Sequence, residues 1–486
     1  MELSDENERK FNSIIKPKKL ENEKFWEMLL NSKNLILGML DQDSNHELNT
    51  FDDFIKIEEE IYTELPNEGK NIEEILETIK LKIVPGFNYE NNNFFGYIPR
   101  SPTNVSKLGD MLVPIFDQYL GNSIGSPSAT AIEGLVVKWI GQMLGYEGGF
   151  FGSFTIGGSD ANLQAIYSGL VAKLPWDVKK LGMINNKRPI VYCSDQTHLC
   201  IKKAMMMLGL GRNSLRIIDT NEYLEIDKDI LISTIEDDLK NPKLIPIMII
   251  GNVGTTNSGS IDDIIGLNDI SKKYNLWFHI DASYGGFAIL SNHSISKHIK
   301  KIGLADSIVV DTHKWLFTPM EGGLTLLKNG DLLKNAFSYK AEYLEDTYFN
   351  FDTKIMKNFS DYGMALSRKW RGIMIWMNIQ FYGLDGISKL ITRNIILADI
   401  LKNMINNNPD LYLHPGSKLG VVCFKHINHE INTKFISKIQ QNRTLKIGYT
   451  KIKNERYCRI SILGEDLDIE IIKNVYQEII NNFKEI

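Results

Sequence analysis

Four short β-branched runs, residues 189–193, 245–250, 276–280 and 307–310, constrain this chain most strongly. Each is strand-length, and none shows the polar alternation of a half-exposed strand. Helical stretches separate them. Buried runs flanked by helices predict an α/β fold with a mainly parallel sheet covered on both faces. A further run at 150–155 leads into Ile156-Gly157-Gly158-Ser159 and a predicted helix from Asp160.

At 486 residues the chain exceeds an ordinary single domain. Three parts are expected: an N-terminal helical segment (1–100), a large domain (101–370) and a small C-terminal α/β domain (371–486). The formal net charge of −5 and the lack of a basic stripe give no footing for nucleic acid. The opening MELSDENERK has neither the basic start nor the apolar core of a secretion signal. Apolar stretches fall far short of the roughly 18 residues of a membrane helix, so no membrane association is expected. Cys193, Cys200, Cys423 and Cys458 lack CxxC spacing, which suits a reducing cytoplasm. His293 and His298 have no companion ligand pattern, so no metal site is expected.

In open parallel sheets ligands sit beyond the carboxyl ends of the strands. The runs deliver chemistry there: Ser194-Asp195-Gln196-Thr197-His198, Gly254-Thr255-Thr256, Asp281, and Asp311-Thr312-His313-Lys314. Gly157-Gly158-Ser159 adds a turn whose amides, at a helix start, suit an anion. Each piece alone has an ordinary structural reading: a helix cap, a rim histidine, a solvated loop lysine. Together they fit one molecule, with a phosphate for the glycine turn, a ring for His198, a basic ring nitrogen for Asp281 and an aldehyde for Lys314. That molecule is pyridoxal 5'-phosphate.

Seven blocks in order, FFGYIP (94–99), SPSATAIEGLV (126–136), TIGGSDAN (155–162), SDQTH (194–198), GTTNSGSIDD (254–263), WFHIDASYGG (277–286) and ADSIVVDTHKWL (305–316), carry a family resemblance. The chain resembles the group II pyridoxal-phosphate-dependent amino acid decarboxylases, in wording most like the bacterial aromatic L-amino acid (tryptophan-type) members. The resemblance implies a fold type I transferase architecture with a seven-stranded large-domain sheet, and a homodimer with active sites at the subunit interface. It implies that Lys314 carries the cofactor as an imine, Asp281 holds the pyridine nitrogen protonated, and His198 stacks on the ring. Thr256 and Ser283 lie beside the cofactor in this reading. Gly158, Ser159, Ser307 and His313 hold its phosphate. Tyr343, in a segment similar to the family's mobile loop, returns a proton to the substrate carbon in this reading, with Tyr339 and Tyr348 as nearby alternatives; aldehyde-forming relatives typically have phenylalanine there.

The resemblance also places Tyr97, Ile98 and Pro99 beside the substrate side chain, with Tyr119 and Gly121 reaching in from a partner subunit. Ile98 and Gly121 leave room for an indole or phenyl ring, whereas Ser367 stands where serine accompanies phenolic preference. The expected activity is decarboxylation of tryptophan, phenylalanine or tyrosine to the arylalkylamine. Alternatives are an aromatic acetaldehyde synthase, a decarboxylase for histidine or glutamate, or a degenerate scaffold protein.

Overall fold

The computed structural model describes residues 23, 24, 26, 27, 48–86, 93–98, 102–183, 187–339, 353 and 355–486. The chain divides into two compact units, Met1–Asn91 and Asn92–Ile486. In the first, helices Phe51–Ile61 and Ile72–Thr78 carry many charged side chains. Thr50 opens the earlier one, its amide donating to Asp53 Oδ2 at 2.8 Å, which satisfies a helix-end donor.

The described strands of the second unit are β1 (Phe94–Phe95), β2 (Phe151–Thr155), β3 (Arg188–Ser194), β4 (Leu215–Ile218), β5 (Leu244–Asn252) and β6 (Trp277–Asp281), then β7 (Ser307–Asp311), β8 (Gly323–Leu327), β9 (Leu411–Leu413), β10 (Val421–His426), β11 (Lys446–Ile452) and β12 (Glu455–Ser461). Seven of them form one sheet in the order β2-β8-β7-β6-β5-β3-β4. Neighbours from β4 to β7 are parallel, and β8 alone runs against the rest, between β7 and β2. The architecture is the expected α/β type with a mainly parallel seven-stranded sheet.

Burial explains why these runs fold as they do. Ile247, Met248, Ile249 and Ile250 are all buried, as are Trp277 to Asp281 and Ser307 to Asp311. Helices cover both faces, so alternation would leave polar side chains in the core. Each fully buried aliphatic or aromatic side chain contributes about 1.5–3 kcal/mol.

Because β2, β3, β5, β6 and β7 point the same way, their last residues Thr155, Ser194, Asn252, Asp281 and Asp311 share one rim. A second, five-stranded sheet has the order β1-β11-β12-β10-β9 and its own hydrophobic cluster, including Phe424, Phe435 and Ile460. It draws on β9 to β12, in the region expected to form a small α/β domain, and on β1, which pairs parallel to β11 from the other end of the unit. The helix Gly372–Asn406 breaks at Gly383, whose φ of +61° glycine adopts without penalty. Among the described residues, no helix is long and apolar enough to cross a membrane.

Candidate active site

Beyond that rim lies a cavity of about 600 Å³. Gly158, Ser159, His198, Thr256, Asp281, Ser283, His313 and Lys314, expected from sequence at the cofactor, all line it. Each arrives on a short exit from a strand, so the rigid sheet sets their mutual positions.

The glycine turn follows β2 and starts the helix Gly158–Lys173. Its first intrahelical bond runs from the Ala161 amide to the Gly157 carbonyl, leaving the amides of Gly158, Ser159 and Asp160 outside the helical ladder. A Cβ at Gly158 would lie 2.6 Å from Ser283 Oγ and 3.0 Å from Asp311 Oδ2. Only glycine leaves this part of the cavity open.

Asp281 ends β6, and its Oδ1 accepts from the Ser283 amide at 3.1 Å and the Ser283 hydroxyl at 2.6 Å. The serine therefore adds a hydrogen bond that orients the carboxylate. His198 caps the helix Leu199–Met207, Nδ1 accepting from the Cys200 amide at 3.3 Å. Burial pushes its imidazole below the ordinary value, with the Asp281 charge opposing less strongly. A neutral ring that accepts at Nδ1 carries its proton on Nε2.

Behind His198, Thr197 Oγ1 lies 3.0 Å from Asn252 Nδ2, which also lies 3.0 Å from Asp262 Oδ2. Burial raises the Asp262 carboxyl to about 6, although the amides of Ile226 and Asn252 hold the charged form. Lys314 lies one short turn past β7, its Nζ 2.8 Å from Asp311 Oδ2.

Ser307 is a correction. It begins β7, whereas the cavity lies past the strand's other end at Asp311. Four residues of strand span about 13 Å. Its hydroxyl lies 2.8 Å from both Trp277 Nε1 and His279 Nδ1, so it cannot hold the phosphate.

Several residues near the cavity were given no role in the sequence reading. Asp311, Asn252, Tyr284 and Glu321 line it; the strand-end position of Asp311, one helical turn before Lys314, was the signal available. Arg459, on β12, is buried and donates to the Thr256 carbonyl from Nε at 2.9 Å and Nη2 at 2.5 Å. It also donates to the carbonyls of Asn257 and Tyr97, and nothing local announces these partners. Gly254, at φ +83°, lets the Thr256 loop turn where a Cβ would lie 2.8 Å from the Tyr284 ring.

The residues expected at the substrate are more scattered. Tyr97 is exposed and Ile98 partly buried; neither is among the described residues lining the cavity. Tyr119 and Gly121 do not line it either, and lie against each other: a Cβ at Gly121 would collide with the Tyr119 ring. Ser367 lines an adjoining cavity of about 500 Å³, which shares Ile156, Ser159, Asp160, Cys200 and Glu321 with the first. Pro99 and Tyr343 lie outside the described residues.

The cavity suits pyridoxal phosphate on three counts. A glycine cradle opens at a helix start, a carboxylate is held at a strand end, and an amine stands on the wall. Asp311 Oδ2 lies beside the glycine turn, 2.8 Å from Lys314 Nζ and 3.7 Å from His313 Nε2. Among the described residues Asp311 Oδ1 is buried without a hydrogen-bond partner, as at a site built to receive another polar group.

Residues 56–427 match the family model of the pyridoxal-dependent decarboxylase conserved domain. An aromatic-L-amino-acid decarboxylase of Bacillus atrophaeus is 30% identical over 410 residues, covering 82% of this chain and 83% of its own. Tyrosine decarboxylase 4 of Petroselinum crispum is 28% identical over 430 residues, covering 85% and 84%. The solved Catharanthus roseus tryptophan decarboxylase, in complex with L-tryptophan, superposes with a TM-score of 0.87 over 97% of this chain and 100% of that one, at 20% identity. That likeness establishes the fold, fold type I of the pyridoxal phosphate enzymes. With the family model matched across the rim residues and both sides of the cavity, the chain belongs to the pyridoxal-dependent decarboxylases, carboxy-lyases that work with pyridoxal 5'-phosphate.

Proposed function

We propose that this decarboxylase acts on an aromatic L-amino acid and releases the arylalkylamine. The observation that carries the reading is the shared aromatic specificity in the names of relatives aligned over more than four fifths of the chain. The adjoining cavity supports it: beside Lys203, Arg368, Lys369 and Arg371, its lining has an apolar part made by Phe154, Leu163, Ala204, Met207 and Met364 that suits an aryl group.

Bound pyridoxal phosphate supplies an aldehyde for amine capture and a ring that accepts the electron pair left when carbon dioxide departs. Lys314 would hold the aldehyde carbon through its Nζ and yield it to the substrate's amine. Asp281, fixed by Ser283, would keep a proton on the ring nitrogen. Neutral His198 would pack flat against the ring without competing for that proton. The Gly158 and Ser159 amides and His313 would hold the phosphate. Tyr343 would deliver the proton that replaces the carboxylate on Cα. In balance, the amino acid and one proton give the amine and carbon dioxide.

A homodimer belongs to this reading. Leu108, Met111, Ile115 and Phe116 expose apolar surface on the helix Asn104–Phe116, and Tyr119 follows; a second copy would cover that face. All four cysteines are buried free thiols, in keeping with a cytoplasmic home.

The test is a panel of L-amino acids incubated with cofactor-loaded protein, products identified by mass. Aryl amines from tryptophan, phenylalanine or tyrosine are expected; turnover of glutamate or histidine alone would contradict the aromatic reading. Tyr343→Phe should divert product toward the aldehyde, which consumes oxygen and water and releases ammonia and peroxide.

A further inference from the structure

Ser307, removed from the phosphate, belongs to a hydrogen-bonded chain that runs from the middle of the sheet, β6 and β7, to the glycine turn. Trp277 Nε1 lies 2.8 Å from Ser307 Oγ, and Ser307 Oγ 2.8 Å from His279 Nδ1. His279 Nε2 lies 2.8 Å from Asn162 Oδ1, and Asn162 Nδ2 2.8 Å from the Gly158 carbonyl. All four side chains are buried.

The direction of these bonds follows from the two ends and from a neutral imidazole. An indole N–H can only donate and a carbonyl can only accept. The Gly158 carbonyl therefore requires the nitrogen of the Asn162 amide, which leaves Oδ1 for His279. An acceptor at that position puts the histidine's proton on Nε2. Nδ1 then accepts, so the Ser307 hydroxyl donates to it while its oxygen accepts from Trp277. An imidazolium donating from both nitrogens would satisfy the same four contacts, so it is burial that selects the neutral ring. Burial holds it so, pushing the imidazole well below its ordinary value.

Chain geometry gives the array a purpose. Asn162 sits one turn into the helix Gly158–Lys173, and that helix packs on β7 through Ala161, Ala165 and Val309. A trans peptide directs its N–H opposite to its C=O. Anchoring the Gly158 carbonyl from the core side thus aims the Ser159 amide the other way, toward the cavity that Ser159 lines. We propose that Trp277, Ser307, His279 and Asn162 form a positioning relay that fixes the Gly158–Ser159 peptide for the cofactor's phosphate. The inference rests on the reading of the glycine turn as the phosphate site. These are positioning residues: the relay acts through that peptide.

Cofactor-stripped protein can be titrated with pyridoxal phosphate and with pyridoxal, which lacks the phosphate. Ser307→Ala removes one hydroxyl from the middle of the relay. It should weaken pyridoxal phosphate by ~10-fold, the scale of one unmade buried hydrogen bond, and leave pyridoxal within about twofold. Ser307→Thr, which restores the hydroxyl, should recover most of the loss, and the milder Trp277→Phe should give a smaller loss with the same selectivity. Undiminished pyridoxal phosphate affinity in Ser307→Ala, or equal loss of both ligands, would overturn the relay. If the unaltered protein bound both ligands equally well, the phosphate assignment itself would fail, taking the relay with it. That result is read from the unaltered protein and the others from the variants, so the two failures are distinguishable.

Discussion

Lys314 Nζ lies 2.8 Å from Asp311 Oδ2, one helical turn away, with 18% of the lysine side chain and 4% of the aspartate side chain exposed. Among the described residues Asp311 Oδ1 is buried without a hydrogen-bond partner, so the lysine is the carboxylate's main compensation there. Breaking such a pair from one side strands a charge; removing both partners does not.

Lys314→Ala should therefore destabilise the cofactor-free protein by about 3 kcal/mol, beyond its loss of activity. Adding Asp311→Ala should return about half of that or more. Urea unfolding of the two single variants and the double variant measures the coupling. Additive losses would show that the pair is not a unit.

Asp281→Asn keeps the shape and the Ser283 contacts but removes the charge that would hold a proton on the ring nitrogen. Turnover should fall roughly 100- to 1000-fold, the cost of losing one preorganised electrostatic contact. Cofactor binding and circular dichroism should change little. A single-turnover assay compares the two proteins, and near-native rates would remove Asp281 from its role.

Arg459 gathers carbonyls from two distant segments, Thr256-Asn257 and Tyr97. A lysine cannot replace its planar fork of donors. Arg459→Lys should cost about 2–4 kcal/mol of stability, since buried carbonyls lose their donors, and should raise KM more than it lowers kcat. Steady-state kinetics with urea unfolding checks both, and unchanged KM would show that the arginine supports only the fold.

His279 gives the acid limb of stability a sign. Burial holds the folded imidazole well below its ordinary value, with Asp281 opposing less strongly. The unfolded side chain takes up its proton near about 6.5, so below that pH the unfolded chain binds more protons. Stability is fully present above about pH 6.5 and falls on acidification, by up to about 1.4 kcal/mol per pH unit. Urea midpoints between about pH 7.5 and 5.5 should fall more steeply for the natural protein than for His279→Gln. Parallel slopes would contradict the assignment.

Much of this was legible in the chain, for reasons particular elements make plain. The runs that became β3, β5, β6 and β7 stood out because strands buried on both faces must be continuously apolar. Their ends slipped by a residue or two, since termini depend on the final ladder bonds. β1, β4, β8, β9 and β11 were missed; a run so short is strand or helix until a neighbour pairs with it. At the site, residues within one strand exit were readable because the exit itself places them. Ser307 was misassigned because a motif gives order along the chain but not depth along the strand. Arg459 was invisible: its partners lie about 200 and 360 residues away, and no local pattern encodes them.

The most direct measurement is to load the protein with pyridoxal phosphate, reduce with borohydride, digest it and locate the labelled peptide by mass. The label should fall on Lys314, within the peptide carrying Asp311-Thr312-His313. A label on another lysine, or none at all, would contradict the account at its centre.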